Sequence, residues 1–314
     1  MVPLLSPIDH GIPFALNLVL EKNCEGEADT KIREDTHGED RLYFLLRGNA
    51  CVSDAGCASE DADAADVQAC GLHGGLSLQR GDSCFCSARS VLRPQLQPSD
   101  DSSAWAFAAV ELRLPRTPLS AAGLTEHWRS MPPAPSLGPS ALCSILSGDD
   151  SDESVLPPAP PARRSATFPQ RVRMRDADVF ALPGQTNRVA LMFDQRPGEI
   201  NDDLCFGFES FEPGHVTPRH SHTIGTELFV VLRGTGRAEC DGASFPVSPG
   251  SVVAFNPGCV HAIDVDAGCR MDCIELLFPG DGFAKYVRSG SAVPGLHPGN
   301  ALASMGCGSA SPHH

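Results

Sequence analysis

The sequence has no apolar run near the ~18 residues that a membrane-spanning helix needs, so no membrane partner is expected. It has no cluster of lysine and arginine either. With a formal net charge of -15, the average field repels a duplex or a phosphate-rich partner, and no nucleic acid is expected. The nearest basic stretch is Arg171, Arg173 and Arg175, which alternate with Val172 and Met174 and read as the exposed face of a strand. The opening "MVPLLSPIDHGIPFALNLVLEK" lacks a basic n-region and a small-residue cleavage site and is neither Arg- nor Ser-rich, so neither a signal nor a transit peptide is expected. There is also no Cys-x-x-Cys pair. The cysteines number thirteen, and the closest pairs are Cys84/Cys86 and Cys269/Cys273, which excludes zinc-ribbon spacing. The reading is mostly reduced thiols in a reducing compartment, hence a cytoplasmic location, with many cysteines serving as small buried hydrophobes. Cys259 reads as one such packed thiol.

Helical signal is thin. Glycine (30) and proline (27) are frequent, while 41% apolar residues are enough to bury a core. Short segments rich in Val, Phe, Leu and Ile, such as "RVALMFD", "CFGFESF", "ELFVVLRG" and "SVVAF", are split by Gly, Pro and Asp at roughly ten-residue spacing. That pattern predicts an all-β sandwich or barrel. The two helix candidates are residues 120–131 and 280–290.

The chain repeats itself. "LYFLLRGNACVSD" (42–54) matches "LFVVLRGTGRAECDG" (228–242), "GLSLQRGDSCFCSARSVL" (75–92) matches "ASFPVSPGSVVAFNPGCVH" (243–261), and "WAFAAVELRLP" (105–115) matches "CRMDCIELLFP" (269–279). The offset falls from 186 (Gly48 to Gly234) to 169 (Gly81 to Gly250) and 164 (Glu111 to Glu275), mostly through an insertion at 57–74 that is a loop by composition. A duplication of this length means two domains of one fold. Between the copies, residues 132–169 hold Pro, Ser and an acidic run at Asp149–Glu153, a composition that reads as a solvated tether. The expected organisation is a first domain at 1–118, a short helix plus linker at 119–169, a second domain at 170–282 and a tail at 283–314.

The second copy carries the chemistry. His220 and His222 are two apart, so one extended segment aims both imidazoles the same way. A turn over Thr223–Thr226 reverses the chain, Glu227 opens the next strand, and His261 follows a Pro257-Gly258 turn at the start of another. Three imidazoles and a carboxylate suit a divalent first-row metal and leave two positions of an octahedral shell free. His-x-His alone is weak evidence, but adding the glutamate and the bracketing Gly214 and Gly234 brings the chance level to ~10⁻⁴.

Gly214-x5-His220-x-His222-x4-Glu227-x6-Gly234 resembles the first characteristic motif of the cupin superfamily, and Gly250-x6-Pro257-Gly258-x2-His261 resembles the second. Asn256 and Val265 depart from the second motif at a turn and at a position behind the ligands. The resemblance covers about residues 186–279, and the repeat extends it to about 14–115. It implies a bicupin: two tandem jelly-roll β-barrels, the second with a metal held by His220, His222, Glu227 and His261. In the first copy the glutamate position falls on Arg41, the histidine positions on Glu34 and Thr36 or on Asp35 and His37, and the last histidine on Leu92. The first barrel is therefore expected to be metal-free, with a structural or substrate-gating role and His37 an ordinary polar residue.

Other residues carry weaker signals. His215 reads as surface or as a group behind the ligands, and Arg219 as solvent-facing. Phe208, Phe229 and Phe255 line a mostly apolar pocket or fill the core; the spacing allows both. The terminal His313–His314 pair is separate from the site.

Cupins span many activities, and fold does not choose among them. The complete ligand set implies a metal-dependent enzyme acting on a small oxygen-bearing organic substrate. Fe(II) or Mn(II) is the first expectation, Zn or Ni the alternatives, and a dioxygenase (an oxidoreductase) the first reaction type. A lyase, decarboxylase or isomerase and a non-catalytic metal-binding or storage bicupin remain open, and a monomer or a homodimer is expected.

Overall fold

The computed structural model of the chain describes residues 2–5, 15–22, 39–54, 76–86, 90–95, 105–115, 170–194 and 204–294. The expected helix at 120–131, the linker, the insertion at 57–74, His37 and His313–His314 lie outside them. The described residues up to Arg171 form one compact unit and those from Val172 onward a second. No helix among them is long and apolar enough to cross a membrane.

The first unit holds β1 (Val2–Leu5), β2 (Ala15–Lys22), β3 (Glu39–Arg47), β4 (Asn49–Asp54), β5 (Leu76–Leu78), β6 (Asp82–Cys86), β7 (Ser90–Gln95) and β8 (Trp105–Pro115). One sheet runs β1-β2-β8-β3-β6 and a second runs β5-β4-β7. Strand β9 (Gln170–Arg173) spans the point where one unit gives way to the other. The second unit holds β10 (Asp178–Ala181), β11 (Asn187–Phe193), β12 (Cys205–Phe211), β13 (Thr226–Arg233), β14 (Gly236–Cys240), β15 (Ala243–Val247), β16 (Val252–Phe255), β17 (His261–Val265), β18 (Met271–Phe278), helix α1 (Phe283–Arg288) and β19 (Ser291–Val293). Its large sheet runs β16-β13-β18-β12-β11-β10-β19, and its small one runs β15-β14-β17.

The two units repeat one topology. The order β1-β2-β8-β3-β6 corresponds to β11-β12-β18-β13-β16, and β5-β4-β7 to β15-β14-β17. Each core lies between its two sheets. In the second unit Phe229 and Val231 of β13, Met271 and Cys273 of β18, Ala238 of β14 and Ile263 of β17 form one cluster. In the first, Tyr43 and Leu45 of β3, Phe107 and Ala109 of β8, and Ala50 and Val52 of β4 do the same. Strands β13 and β18 are buried on both faces, which is why "TELFVVLR" and "MDCIELLF" are nearly continuous apolar runs rather than alternating ones.

The glycine that ends each first motif has one job in both units. Gly234 has φ +81° and a Cβ there would sit 2.3 Å from the Arg270 carbonyl oxygen; Gly48 has φ +74° and 2.4 Å to that of Ala106. Only glycine combines the left-handed backbone with so close an approach.

Two sequence expectations are revised here. Arg171, Arg173 and Arg175 do not form an exposed face: Arg173 is buried, the other two are half-buried, and Arg171 donates to the Ser77 carbonyl. The helix candidate at 280–290 forms α1, and ordered structure continues past it into residues placed in the tail, where β19 pairs antiparallel with β10.

Candidate metal centre

The second motif half is held against the first by backbone. His220 and His261 form an isolated antiparallel bridge, with His261 N donating to His220 O at 2.8 Å and His220 N to His261 O at 3.2 Å. Gly258 N donates to His222 O at 2.8 Å, which ties the Pro257-Gly258 turn to the histidine segment. That segment is a bridge in extended chain rather than the regular strand expected, but the alternation still turns both imidazoles inward. Glu227 is the second residue of β13 and pairs with Phe255 on β16. Phe255 in turn stacks on the His261 ring, with centroids 4.3 Å apart and planes at 10°.

As a result, one donor atom from each of His220, His222, Glu227 and His261 lies within 4.8 Å of the others. Glu227 Oε2 is 2.6 Å from His261 Nε2 and 3.9 Å from His220 Nε2, and Glu227 Oε1 is 3.4 Å from His222 Nε2. His222, Glu227 and His261 are buried, while the His220 side chain is 36% exposed and marks the open side.

The other ring nitrogens decide what these atoms can do. His220 Nδ1 lies 2.8 Å from the Pro218 carbonyl and His261 Nδ1 2.9 Å from the Cys259 carbonyl. A carbonyl only accepts, so each Nδ1 carries a hydrogen and each Nε2 points inward; that of His261 is hydrogen-bonded to Glu227 Oε2 at 2.6 Å. His222 Nδ1 is 3.1 Å from Asp281 Oδ1, and Asp281 Oδ2 accepts from Thr223 N at 2.9 Å. His222 Nε2 has no hydrogen-bond partner; its 3.4 Å contact with Glu227 is electrostatic rather than a directed bond. Three imidazole nitrogens converging on one buried carboxylate need positive charge among them, from a proton or from a metal ion. The donor set therefore fits a divalent metal, with each imidazole oriented from behind.

Burial pushes the Glu227 carboxyl up, but the contacts with His222 and His261 outweigh it and bring it down to about 2. Burial pulls His220 below the ordinary histidine value. It pulls His222 down too, yet the Glu227 and Asp281 carboxylates raise it overall. Asp281 lies far from both motifs in sequence, in the turn after β18. Asp281→Asn is expected to weaken manganese binding by about 10- to 100-fold, because the group orienting the His222 ring loses its charge. Equilibrium dialysis checks this; an unchanged affinity would remove Asp281 from the centre.

A cavity of about 380 Å³ opens beside the four residues. Of the three phenylalanines expected there, Phe229 lines it, Phe255 backs His261, and Phe208 is buried but not among the lining residues. Strand parity explains Phe208: its neighbours Gly207 and Glu209 alternate with it, and Glu209 faces the cavity. His215 is buried, bonded to Thr186 (2.8 Å) and Thr217 (3.2 Å), and does not line the cavity. Arg219 is exposed and paired with Glu239 at 2.6 Å. Cys259 is not a free thiol but is disulfide-bonded to Cys240, whereas six other described cysteines are free.

Two lining carboxyls had no role in the sequence reading. Asn187 Nδ2 donates to Glu209 Oε1 at 2.5 Å. Burial, opposed by that bond and aided by the charge of Glu227, pushes Glu209 up to about 8. Glu275 is raised well above the usual carboxylate range, by burial first and then by Glu209 and Glu227.

Residues 207–274 match the family model described as Cupin domain. The second unit carries a cupin domain. No curated protein matches it in sequence. Solved structures are similar to it over most of its length. A putative glyoxylate-induced protein from Pseudomonas aeruginosa is 12% identical, with 87% of this chain and 78% of that one covered and a TM-score of 0.51. A point variant of oxalate decarboxylase from Bacillus subtilis is 14% identical, with 88% and 70% covered and a TM-score of 0.50. Quercetin 2,3-dioxygenase from Acinetobacter baumannii is 14% identical, with 88% and 79% covered and a TM-score of 0.49. At these identities the likeness is one of fold: two tandem cupin barrels.

In the first cupin barrel the place of Glu227 is taken by Arg41, which is buried, and strand register puts the buried Ser90, not the expected Leu92, at the place of His261; Leu92 matches the core residue Ile263 instead. The other two counterpart positions lie outside the described residues. The interior is closed by an ion pair instead. Glu111 accepts from Asn17 Nδ2 (2.7 Å), Tyr43 Oη (2.9 Å) and Arg113 Nε (3.0 Å). Burial works against its charge, but Arg113 and Arg41 outweigh it and hold the carboxyl below its ordinary value.

Proposed function

We propose that this bicupin is a mononuclear metal-dependent enzyme acting on a small oxygen-bearing organic substrate, with Fe(II) or Mn(II) as the metal and a dioxygenase reaction as the first expectation. The observation that supports this best is the inward set of Nε2 atoms of His220, His222 and His261 around Glu227, each imidazole fixed through its Nδ1. A bound divalent ion would supply Lewis acidity toward a substrate oxygen and, as iron or manganese, a redox couple. The chain supplies the rest. Phe229, Phe211 and Phe283 line the cavity and limit water beside the centre, Asp281 holds the His222 ring hydrogen, and the open side at His220 admits the substrate.

Elemental analysis of the purified chain beside the His220→Ala/His222→Ala double variant tests the reading. Both proteins keep His313 and His314, so stray metal at the terminus appears equally in each. Near-stoichiometric iron or manganese in the wild type, lost in the variant, is expected, followed by substrate-dependent oxygen uptake. Zinc or nickel at that stoichiometry would favour lyase, decarboxylase or isomerase chemistry without oxygen. No metal above the variant's level would refute the enzyme reading and leave a binding or storage protein.

A further inference from the structure

We infer that the second barrel takes a substrate bearing an amine-type cation, an ammonium or amidinium, held by Glu275 and Glu209 while an oxygen-bearing end faces the metal centre. The inference rests on the metal-centre reading and names its substrate class. Among the described residues, four carboxyl side chains line the cavity (Glu209, Glu227, Glu275 and Asp281), and no lysine or arginine does. Glu275 is 1% exposed, and neither of its oxygens has a hydrogen-bond partner among the described residues. Two other acceptors of the lining residues have no partner among the described residues: Asn187 Oδ1, whose amide nitrogen donates to Glu209, and Gln185 Oε1, whose amide nitrogen donates to Tyr286 Oη at 3.1 Å. Unpartnered buried acceptors call for a ligand that donates hydrogen bonds, and an ammonium or amidinium donates several while its charge favours the ionised form of the carboxyls it meets.

The first barrel shows what this position requires. By strand register Glu111 and Glu275 are equivalent: Tyr43 stands opposite Glu111 as Phe229 stands opposite Glu275, and Asn17 as Gly207. Arg41 pairs with Arg113 where Glu227 pairs with Leu277. Every group that satisfies Glu111 has thus been replaced in the second barrel by one that cannot: Tyr43 by Phe229, Asn17 by Gly207, and the Arg113 guanidinium by Leu277. The carboxyl stays and its built-in cation is gone. A cation arriving with the substrate restores the balance.

The dimensions set the substrate's size. Glu275 stands diagonally across from Glu227 on the neighbouring strand, which places the two positions about 7–8 Å apart. The cation and the metal-facing oxygen are therefore separated by a short chain of a few atoms, within a cavity of about 380 Å³. A substrate that presents a second carboxylate there supplies no donor to the unpartnered oxygens and is disfavoured.

Calorimetric titration of the full chain loaded with Mn(II) tests this, using aminopropanediol, glycerol and glycerate, which share a pair of adjacent oxygens and differ in the third group. Aminopropanediol is expected to bind at least ~10-fold tighter than glycerol, and glycerate weakest. Glu275→Gln erases the preference with manganese content unchanged; Glu209→Gln, checked in parallel, weakens it. Glycerol or glycerate matching the amine, no binding heat from any of the three, or a preference that survives both substitutions would overturn the inference. Manganese content measured on the same samples separates the two readings. Manganese bound without amine preference sinks this inference alone. Amine preference without bound manganese sinks the metal-centre reading and leaves the carboxyl wall standing.

Discussion

Arg113→Leu is expected to destabilise the first barrel by about 3–5 kcal/mol, read as a lower denaturant midpoint. The Arg113 and Glu111 side chains are 3% and 0% exposed and 3.0 Å apart, so truncating the cation leaves a buried carboxylate that water cannot reach. Asn17 and Tyr43 still donate to it, and Arg41 still contributes charge, which keeps the loss from being larger. Adding Glu111→Gln to Arg113→Leu should recover most of the loss, because the amide no longer needs a counter-charge. A single-variant loss below about 1 kcal/mol, or a double variant no better than the single, would show that the pair does not neutralise itself as described.

The second large effect is one of pH on the metal-stripped chain. Glu209 has its carboxyl raised to about 8 in the folded protein, against an ordinary 4.5. Between those values the native state holds a proton that the unfolded chain has released. The stabilisation is therefore complete below the ordinary value and is lost as pH rises through about 8. At about 1.4 kcal/mol per pKa unit, the loss from pH 5 to pH 8 is on the order of a few kcal/mol. Thermal midpoints should fall across that range, and Glu209→Gln should flatten the fall. Loading with a divalent ion should shrink it as well, since positive charge near Glu227 favours the ionised form of Glu209. Wild type and Glu209→Gln changing in parallel with pH would contradict the assignment.

The four-residue centre was legible because its geometry is short-range. His220 and His222 share a face of extended chain, Glu227 follows one turn later, and His261 follows a proline-glycine turn. The repeat was legible for a similar reason, since its glycines mark backbone positions that tolerate no other residue. The carboxyl wall was hidden. Glu275 was visible as an anchor of the repeat, aligned with Glu111, but only register reveals that its neighbours are Phe229, Gly207 and Leu277. Asp281 escaped because its partner, His222, is 59 residues away and is reached only through the closed barrel. The clue available in advance was a charged residue at an inward position of an otherwise apolar strand in both copies. Parity along "CFGFESF" would also have set Phe208 apart from Glu209.

Order along the chain separates the two barrels in time during synthesis. The carboxylate of Glu111 and its partners Asn17, Tyr43 and Arg113 are all translated by residue 113, so the first barrel's interior can close with what the ribosome has already delivered. The second cannot. Its four donors are in hand at His261, but the His222 ring is not held until Asp281 emerges, and the cavity wall is not complete until Phe283 and Tyr286 follow. The oriented set of four donors therefore exists only once Asp281 has been made. A nascent chain stalled before Asp281 would present ligands without the residue that aims one of them.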